Sequence, residues 1–221
     1  MLRSTSRKNQ TLFKVYQIAY TALMRLLWII TFTAALLWSA INPKDQFTWF
    51  LEVVPALIGA VVLALTWKKH PLTPLLYVLI LIHCIILMVG GHYTYAEVPL
   101  FDQISELFGW QRNNYDKVGH LAQGFIPAII AREIMIRANA VNGRKWLNLF
   151  VISFCLAFSA LYELIEWWVA ELTGESAEAF LGTQGYIWDT QSDMFLALIG
   201  ACCALLLLSR WHDRQLQHIC R

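Results

Sequence analysis

The sequence predicts an all-α fold: a polytopic membrane protein whose transmembrane part is a bundle of six helices. The first observation behind this prediction is composition. Of the 221 residues, 58% are hydrophobic and 14% are charged, whereas a soluble domain has about 25% charged residues. A soluble chain of this length keeps roughly 30% of its potential surface in water, which is too much for so apolar a chain. A lipid bilayer is the solvent that fits this composition.

The second observation is a set of six apolar stretches of suitable length. The hydrocarbon core of a bilayer takes about 20 residues of helix. Backbone polar groups in lipid must be satisfied internally, and long continuous runs achieve this as helices. Pro55 and Pro127 fall inside two of the stretches, where they predict kinks and not ends. Residues 1–221 are therefore predicted to form a single integral membrane domain, with helices at about 21–41, 48–67, 72–91, 116–136, 147–170 and 188–209.

Residues typical of the membrane surfaces mark the helix boundaries in order along the chain. Basic residues precede the first helix, and Arg25 lies near its start. Trp49 opens the second helix, and Trp67 closes it together with two lysines, as interfacial anchors do. The later boundaries are marked in the same way by His92, Asp116, the pair Arg144 and Lys145, and Arg210.

The distribution of lysine and arginine predicts the orientation. An even number of spans puts both termini on one side of the membrane. The segments on that side hold all but three of the 17 basic residues, the exceptions being Lys44, Arg112 and Lys117. The positive-inside rule therefore predicts that both termini are cytoplasmic. Because the basic residues form no continuous patch, no nucleic-acid partner is expected, and the expected partner is the lipid bilayer.

Ionisable and polar side chains collect at the predicted outer ends of four helices. Asp116 and His120 are four residues apart and so share one helix face, as Asp189 and Asp193 do. Charged groups within spans are costly and usually face the bundle interior or water, where they find partners. The residues at this level are His92, Tyr93, Tyr95, Asp116, His120, Glu163, Glu166, Asp189, Gln191 and Asp193.

Imidazole and carboxylate groups at one level suit a divalent metal ion. Zinc, manganese or iron accept both kinds of ligand, whereas calcium or magnesium would use the carboxylates alone. A metal ion with an open position activates water for hydrolysis, and a nearby carboxylate can act as general base. The sequence has no HExxH motif, so the hypothesis of a metal site rests on the convergence of these side chains at the outer ends of four helices. The candidate metal ligands are His92, His120, Asp189 and Asp193; the candidate catalytic residues are Asp116, Glu163 and Glu166; the candidate binding residues are Tyr93, Tyr95, Arg112, Lys117, Gln123 and Gln191.

Two other interpretations of these residues stay open. The charged groups could form a buried ion-pair network that fixes the helix order, with Asp189 capping its helix, where an acid is favourable by about 0.3–1 kcal/mol. Alternatively, they could line a cavity that binds or transports a small polar solute. A transporter would need a second polar pathway on the cytoplasmic side, and the apolar run below Asp193 offers little for one. His212 and His218 follow that run and are expected to be solvated.

Several motifs resemble the YjdF family of bacterial inner-membrane proteins. They include Gly-Gly-His-Tyr-Thr-Tyr at 90–95, Arg-Asn-Asn-Tyr-Asp-Lys-Val-Gly-His at 112–120, Glu-Leu-Ile-Glu-Trp at 163–167, Phe-Leu-Gly-Thr-Gln-Gly at 180–185 and Trp-Asp-Thr-Gln-Ser-Asp-Met at 188–194. The resemblance covers nearly the whole chain. It implies an inner-membrane location and a polytopic topology, and the family has no established activity.

A more distant likeness is to VanZ-like membrane proteins, which are associated with glycopeptide-antibiotic resistance. It rests on Asp116, Lys117 and His120 at the start of one helix. A Glu on the next helix and an Asp on the last complete that pattern, and the candidates here are Glu163 or Glu166 and Asp189 or Asp193. The VanZ-like pattern often has Gln after its Glu, whereas this sequence has Glu166.

The function that these residues indicate is a metal-dependent hydrolase or transferase with a periplasm-facing site. Its substrate would be the head group of a lipid or cell-envelope precursor, because the carboxylates and imidazoles lie at the depth of lipid head groups. Its cofactor would be a divalent metal ion such as zinc. A binding or transport protein and a structural membrane protein remain the alternatives, and the oligomeric state stays open.

Overall fold

Seven α-helices form the structure of residues 22–173 and 183–219, the part of the chain that the computed structural model describes. The prediction of an all-α protein is confirmed for these residues, which contain no strand. The helices are α1 (Ala22–Ala40), α2 (Gln46–Thr66), α3 (Pro74–Tyr93), α4 (Pro99–Phe108), α5 (Tyr115–Arg137), α6 (Arg144–Thr173) and α7 (Asp189–Ile219).

Five of these helices are long and apolar enough to cross a membrane, namely α1, α2, α3, α6 and α7. This confirms a membrane protein with several apolar helices. The sequence predicted a further span over 116–136. A helix of 23 residues does form there as α5. Its ionisable residues make it too polar to count among the candidate spans. The described residues therefore give five candidate spans, and not the six that were predicted.

The long helix that falls outside these candidate spans, α5, is also the most enclosed. α5 packs against α3, α6 and α7, and most of its residues are buried. One apolar core joins these four helices through residues such as Leu76, Ile129, Val151 and Ala204. A second core joins α1, α2 and α3 around Phe32. The surrounding helices thereby enclose the polar residues of α5.

The last two helices are longer than the sequence predicted. α6 extends at both ends of the predicted range 147–170, and α7 continues past 209 to Ile219. The prediction ended the last helix where its apolar run stops. The helix continues because residues beyond that point, among them His212 and Leu216, are buried against the rest of the bundle. Pro55 and Pro127 lie inside continuous helices, as predicted.

Two glycines set the distance between α5 and α7. A Cβ atom at Gly124 would overlap the backbone carbonyl of Ala197, and one at Gly200 would overlap the carbonyl of Leu121. Both glycines are buried within their helices. Small residues at such crossings let helix backbones approach closely in a membrane. The close approach brings polar side chains of α5 within reach of α7 at both ends of the pair.

Gly124→Ala is expected to destabilise the protein, because the two helices must separate to admit the methyl group. Overpacking a tight contact costs typically about 1–3 kcal/mol. The measurement is the midpoint of thermal unfolding in a mild detergent.

The matched control for this variant is Gly59→Ala on α2, where an added Cβ atom meets nothing within 4 Å. Alanine is favoured over glycine inside a helix by up to about 1 kcal/mol, so this midpoint should stay the same or rise. An unchanged midpoint for Gly124→Ala would contradict the close crossing.

Candidate functional site

Three donor atoms from α5 and α7 converge near the start of α5. Nε2 of His120 lies 3.2 Å from Oδ1 of Asp116, one turn earlier on the same helix. From α7, Oδ2 of Asp193 lies 3.9 Å from the same nitrogen. All three residues are buried, and their donor atoms lie within 4.8 Å of one another. We refer to Asp116, His120 and Asp193 as the donor group.

Lys117 connects the start of α5 to the first two turns of α7. Its ammonium group donates to Asp189 and Asp193, each at 2.6 Å, and to the hydroxyl of Ser192 at 2.9 Å. It also lies 3.5 Å from Oδ2 of Asp116. An ammonium group has three protons, so the three short bonds use all of them. Lys117 therefore fixes the orientation of the α7 carboxylates.

Arg112 reinforces this arrangement from the loop before α5. Its Nη1 donates to Oδ1 of Asp189 at 2.6 Å, and its Nη2 lies 3.5 Å from Oδ2 of Asp116. Charge-assisted bonds of this kind are stronger than neutral ones. Asp116 and Asp193 are consequently each held by a cation through one oxygen, and each presents the other oxygen to Nε2 of His120.

The second nitrogen of His120 faces α6. Nδ1 lies 3.7 Å from Oε1 of Glu163, which is too long for a hydrogen bond. Both atoms are buried, and among the described residues neither has a hydrogen-bond partner. Buried polar atoms are rarely left unpaired. Within the described residues, this pair is therefore an unsatisfied part of the site.

Amide side chains anchor the loop that carries Arg112. The side chain of Gln184 makes two hydrogen bonds of 2.9 Å with the backbone of Asn113: its amide oxygen accepts from the backbone nitrogen, and its amide nitrogen donates to the backbone carbonyl. The side-chain nitrogen Nδ2 of Asn113 also donates to Asp102 on α4 at 2.7 Å, and its side-chain oxygen Oδ1 accepts from the backbone nitrogen of Tyr115 at 3.1 Å. The start of α5 is thus tied both to α4 and to the segment that leads into α7.

Some of the predicted residues lie apart from the donor group. His92, predicted as a metal ligand, bonds through Nδ1 with the carbonyl oxygen of Ser39 at 3.0 Å. Its ring packs on Trp38 at 4.7 Å, and Tyr93 joins the same aromatic contact. Gln191 is exposed on α7. Within the described residues, the acids and imidazole close enough to share a metal ion are those of the donor group.

The remaining predicted residues surround the donor group. Asp189, predicted as a metal ligand, is bonded to the two cations instead. Glu166 and Gln123 are buried on α6 and α5. Tyr95 packs on Gly119, where an added Cβ atom would come within 2.9 Å of its ring. Burial raises the pKa of the Tyr95 hydroxyl well above its usual range, so this phenol stays protonated.

A further buried carboxylate, which the sequence analysis did not select, lies on α2. Glu52 accepts a hydrogen bond at 3.2 Å from the hydroxyl of Tyr162 on α6, and it is buried. The sequence does contain a signal for this residue: Glu52 is the single acid within the apolar run 48–67. Ionisable residues inside spans usually face the bundle interior and find a partner there, and that rule would have predicted a buried partner for Glu52.

A second polar group, also missed, lies at the opposite ends of α5 and α7. Glu133 and His212 are fully buried, with Nε2 of His212 2.9 Å from Oε2 of Glu133. Nδ1 of His212 lies 2.8 Å from Nη1 of Arg132. Because a guanidinium group only donates, Nδ1 accepts, and the neutral ring donates from Nε2 to Glu133. Ion pairs to Arg137 and Asp213 complete what we call the Glu133 network.

The Glu133 network also satisfies the start of α3. The carboxylate of Glu133 accepts from the hydroxyl of Thr73 at 2.8 Å and from its backbone nitrogen at 3.3 Å. On α7, the side chain of Gln215 accepts from the backbone nitrogen of Leu75 at 3.0 Å. The first N–H groups of a helix have no partner within it, and here α5 and α7 supply partners. Because His212 is fully buried and both of its ring nitrogens are bonded within the Glu133 network, the expectation that it is solvated is wrong.

Comparisons with known proteins agree with this membrane architecture. Residues 24–214 match the family model described as "Predicted membrane protein (DUF2238)". The chain is 52% identical over 188 residues to the inner membrane protein YjdF of Escherichia coli (strain K12), and the match covers 85% of this chain and 90% of that protein. No solved structure matches the chain. The resemblance to the YjdF family is thus confirmed, whereas the likeness to VanZ-like proteins has no counterpart in these matches.

His212→Ala is expected to destabilise the protein strongly. Removing the neutral imidazole leaves the buried Glu133 carboxylate and Arg132 guanidinium each without one hydrogen-bond partner, at a cost of about 1–3 kcal/mol for each group. Thermal unfolding in mild detergent measures this loss. His218→Ala is the matched control, because His218 is exposed on the same helix. The buried network would be contradicted if both variants unfolded at the same temperature.

Proposed function

The chain belongs to the DUF2238 family of predicted membrane proteins, and from this premise we propose that it resides in a bacterial inner membrane with both termini in the cytoplasm. The relative from Escherichia coli is an inner membrane protein by name. The basic residues support the orientation, since all but three of the 17 fall in segments on the side of the termini.

This orientation requires α5 to be the sixth span. Its 23 residues extend about 34 Å at 1.5 Å per residue, and a bilayer core is about 30 Å thick. Its charged residues are buried or half-buried against α3, α6 and α7, which is the position that charged residues take in membrane bundles. With α5 as a span, the donor group lies at the periplasmic end of the bundle and the Glu133 network at the cytoplasmic end.

The donor group fits a divalent metal ion, and zinc suits its ligands best. Zinc binds imidazole nitrogen and carboxylate oxygen at about 2 Å, and its catalytic sites have three protein ligands and an open position. Donor atoms around one such ion lie roughly 3–4 Å apart, as Nε2 of His120 does from both carboxylates, at 3.2 and 3.9 Å. Nδ1 of His120, which has no hydrogen-bond partner among the described residues, also fits, because the other nitrogen of a ligating histidine commonly donates to a carboxylate.

The activity that this site supports best is hydrolysis or group transfer on the head group of a lipid or cell-envelope precursor. The observation that carries this proposal is that two carboxylates are each held by a cation while their free oxygens face one imidazole nitrogen. A bound divalent ion supplies Lewis acidity and lowers the pKa of water. The site lies at the membrane surface, where head groups are. Glu163 or Glu166 on α6 supplies the general base that takes a proton from the attacking nucleophile.

A structural role is the second candidate, and the bonds of Lys117 favour it. That residue joins α5 to α7 through three short bonds, which would also suit a network that only fixes the helix order. The two candidates differ in what His120 does. A metal ligand changes the metal content when it is removed, whereas a member of an ion-pair network changes mainly the stability.

Near-stoichiometric zinc or another transition metal is expected in the protein purified in mild detergent without chelator. His120→Ala should lose this metal, because Nε2 of His120 is central to the donor group. Elemental analysis by mass spectrometry measures the content, and His218→Ala, which alters an exposed histidine, should keep it. Absence of metal from every sample, with His120→Ala markedly less heat-stable, would favour the structural network and remove the enzyme proposal.

Reporter fusions are expected to show that α5 crosses the membrane. Green fluorescent protein fused after Gly143, between α5 and α6, or at the C-terminus should fluoresce, because both points are cytoplasmic in this topology. Alkaline phosphatase should be active when fused after Gly109, which follows three spans. If α5 does not cross, the chain has five spans, and the C-terminal fusion will instead be active as alkaline phosphatase and dark as fluorescent protein.

A further inference from the structure

We propose that Glu163 is the positioning residue of the metal centre: it accepts a hydrogen bond from Nδ1 of His120 and so holds the imidazole toward the ion. In this role Glu163 is neither a metal ligand nor the general base. The inference rests on the metal centre of the proposed function, and it assigns different roles to the two glutamates of α6, which the sequence analysis treated as equivalent.

The two nitrogens of His120 have different surroundings. Nε2 faces an oxygen of Asp116 and an oxygen of Asp193, so it is the nitrogen that shares a metal ion with them. Nδ1 faces Glu163. A histidine that ligates through one nitrogen almost always donates its other N–H to a carboxylate, carbonyl or water, and this partner fixes the tautomer and the ring orientation. Glu163 is placed for that task.

The unsatisfied atoms point to the same pair. Nδ1 of His120 and Oε1 of Glu163 are both buried, and within the described residues neither has a hydrogen-bond partner. Their separation of 3.7 Å exceeds a hydrogen bond by about 0.5–1 Å. α5 and α6 are packed in the same core, which keeps the two groups next to each other.

The direction of Glu163 also argues against its acting as the base. A general base must reach the proton that it abstracts, and Oε1 of Glu163 is turned toward the imidazole instead. Glu166, one turn further along α6 and likewise buried, is the carboxylate left for proton transfer. Glu52 is bonded to Tyr162 and serves neither role.

Titration of the metal-free full-length protein with Co²⁺ in mild detergent tests this assignment, because Co²⁺ reports its ligands through visible absorption. Glu163→Ala should bind Co²⁺ about 10–100-fold more weakly, the usual effect of losing such an outer partner. Glu163→Gln should recover part of the loss, because its amide oxygen can accept from Nδ1. The absorption bands of bound Co²⁺ should keep their shape in both variants, since the ligands are unchanged.

Glu52→Gln is the matched control, with the same chemical change at another buried glutamate, and it should bind Co²⁺ like the unmodified protein. Unchanged affinity in both Glu163 variants would overturn the inference while leaving the metal centre intact. An altered absorption spectrum would make Glu163 a ligand, which also overturns it. Failure of the unmodified protein to bind Co²⁺ would instead reject the proposed function. Should Glu163→Ala not fold, Glu163→Gln carries the test by its smaller loss of affinity relative to Glu52→Gln.

Discussion

The polar residues at both ends of α5 find their partners through its close crossing with α7. Gly124 and Gly200 let the two backbones touch, and this distance lets Lys117 reach α7 at one end and Arg132 reach it at the other, each through a bond of 2.6 Å. Charged groups in a membrane need partners or water. A wider crossing would break both sets of contacts and expose the polar residues of α5 to lipid. The close packing at Gly124 and Gly200 therefore makes possible the bonds of Lys117 and Arg132 to α7 at the two ends of α5.

The two polar ends differ in their balance of charge. The Glu133 network pairs its two carboxylates with two guanidinium groups around a neutral imidazole, as a structural network should. Around the donor group, the permanent cations are Arg112 and Lys117, and the buried carboxylates outnumber them. Removing an ion from water without compensation costs several kcal/mol, so this end favours an additional positive charge, which a divalent ion supplies. The carboxylates concerned are Asp116, Glu163, Glu166, Asp189 and Asp193.

Sequence reasoning succeeded where chain length and helix spacing decide the outcome. Lipid demands long apolar helices, and five of those predicted are found. The spacing of Asp116 and His120 placed them on one face. The direction of a residue around its helix axis depends on packing with other helices, which the sequence does not state. His92 shares the level of His120 but turns toward Trp38. His212 followed the end of an apolar run, and its partner lies on another helix far away in the chain.

The apolar layer of α5 and α7 between the donor group and the Glu133 network argues against transport along these helices. His120 and Glu133 are about 20 Å apart along α5 at 1.5 Å per residue. Between them, Gly124 packs against the backbone of Ala197, and the buried apolar residues Ala128 and Ile129 share a core with Ala201 and Ala204 of α7. Close-packed apolar contacts of this kind leave no room for water. A solute path along this interface would require α5 and α7 to separate, which would also break the contacts of Lys117 and Arg132. Transport needs access from both faces of the membrane, so this apolar layer supports the proposed enzyme over a transporter.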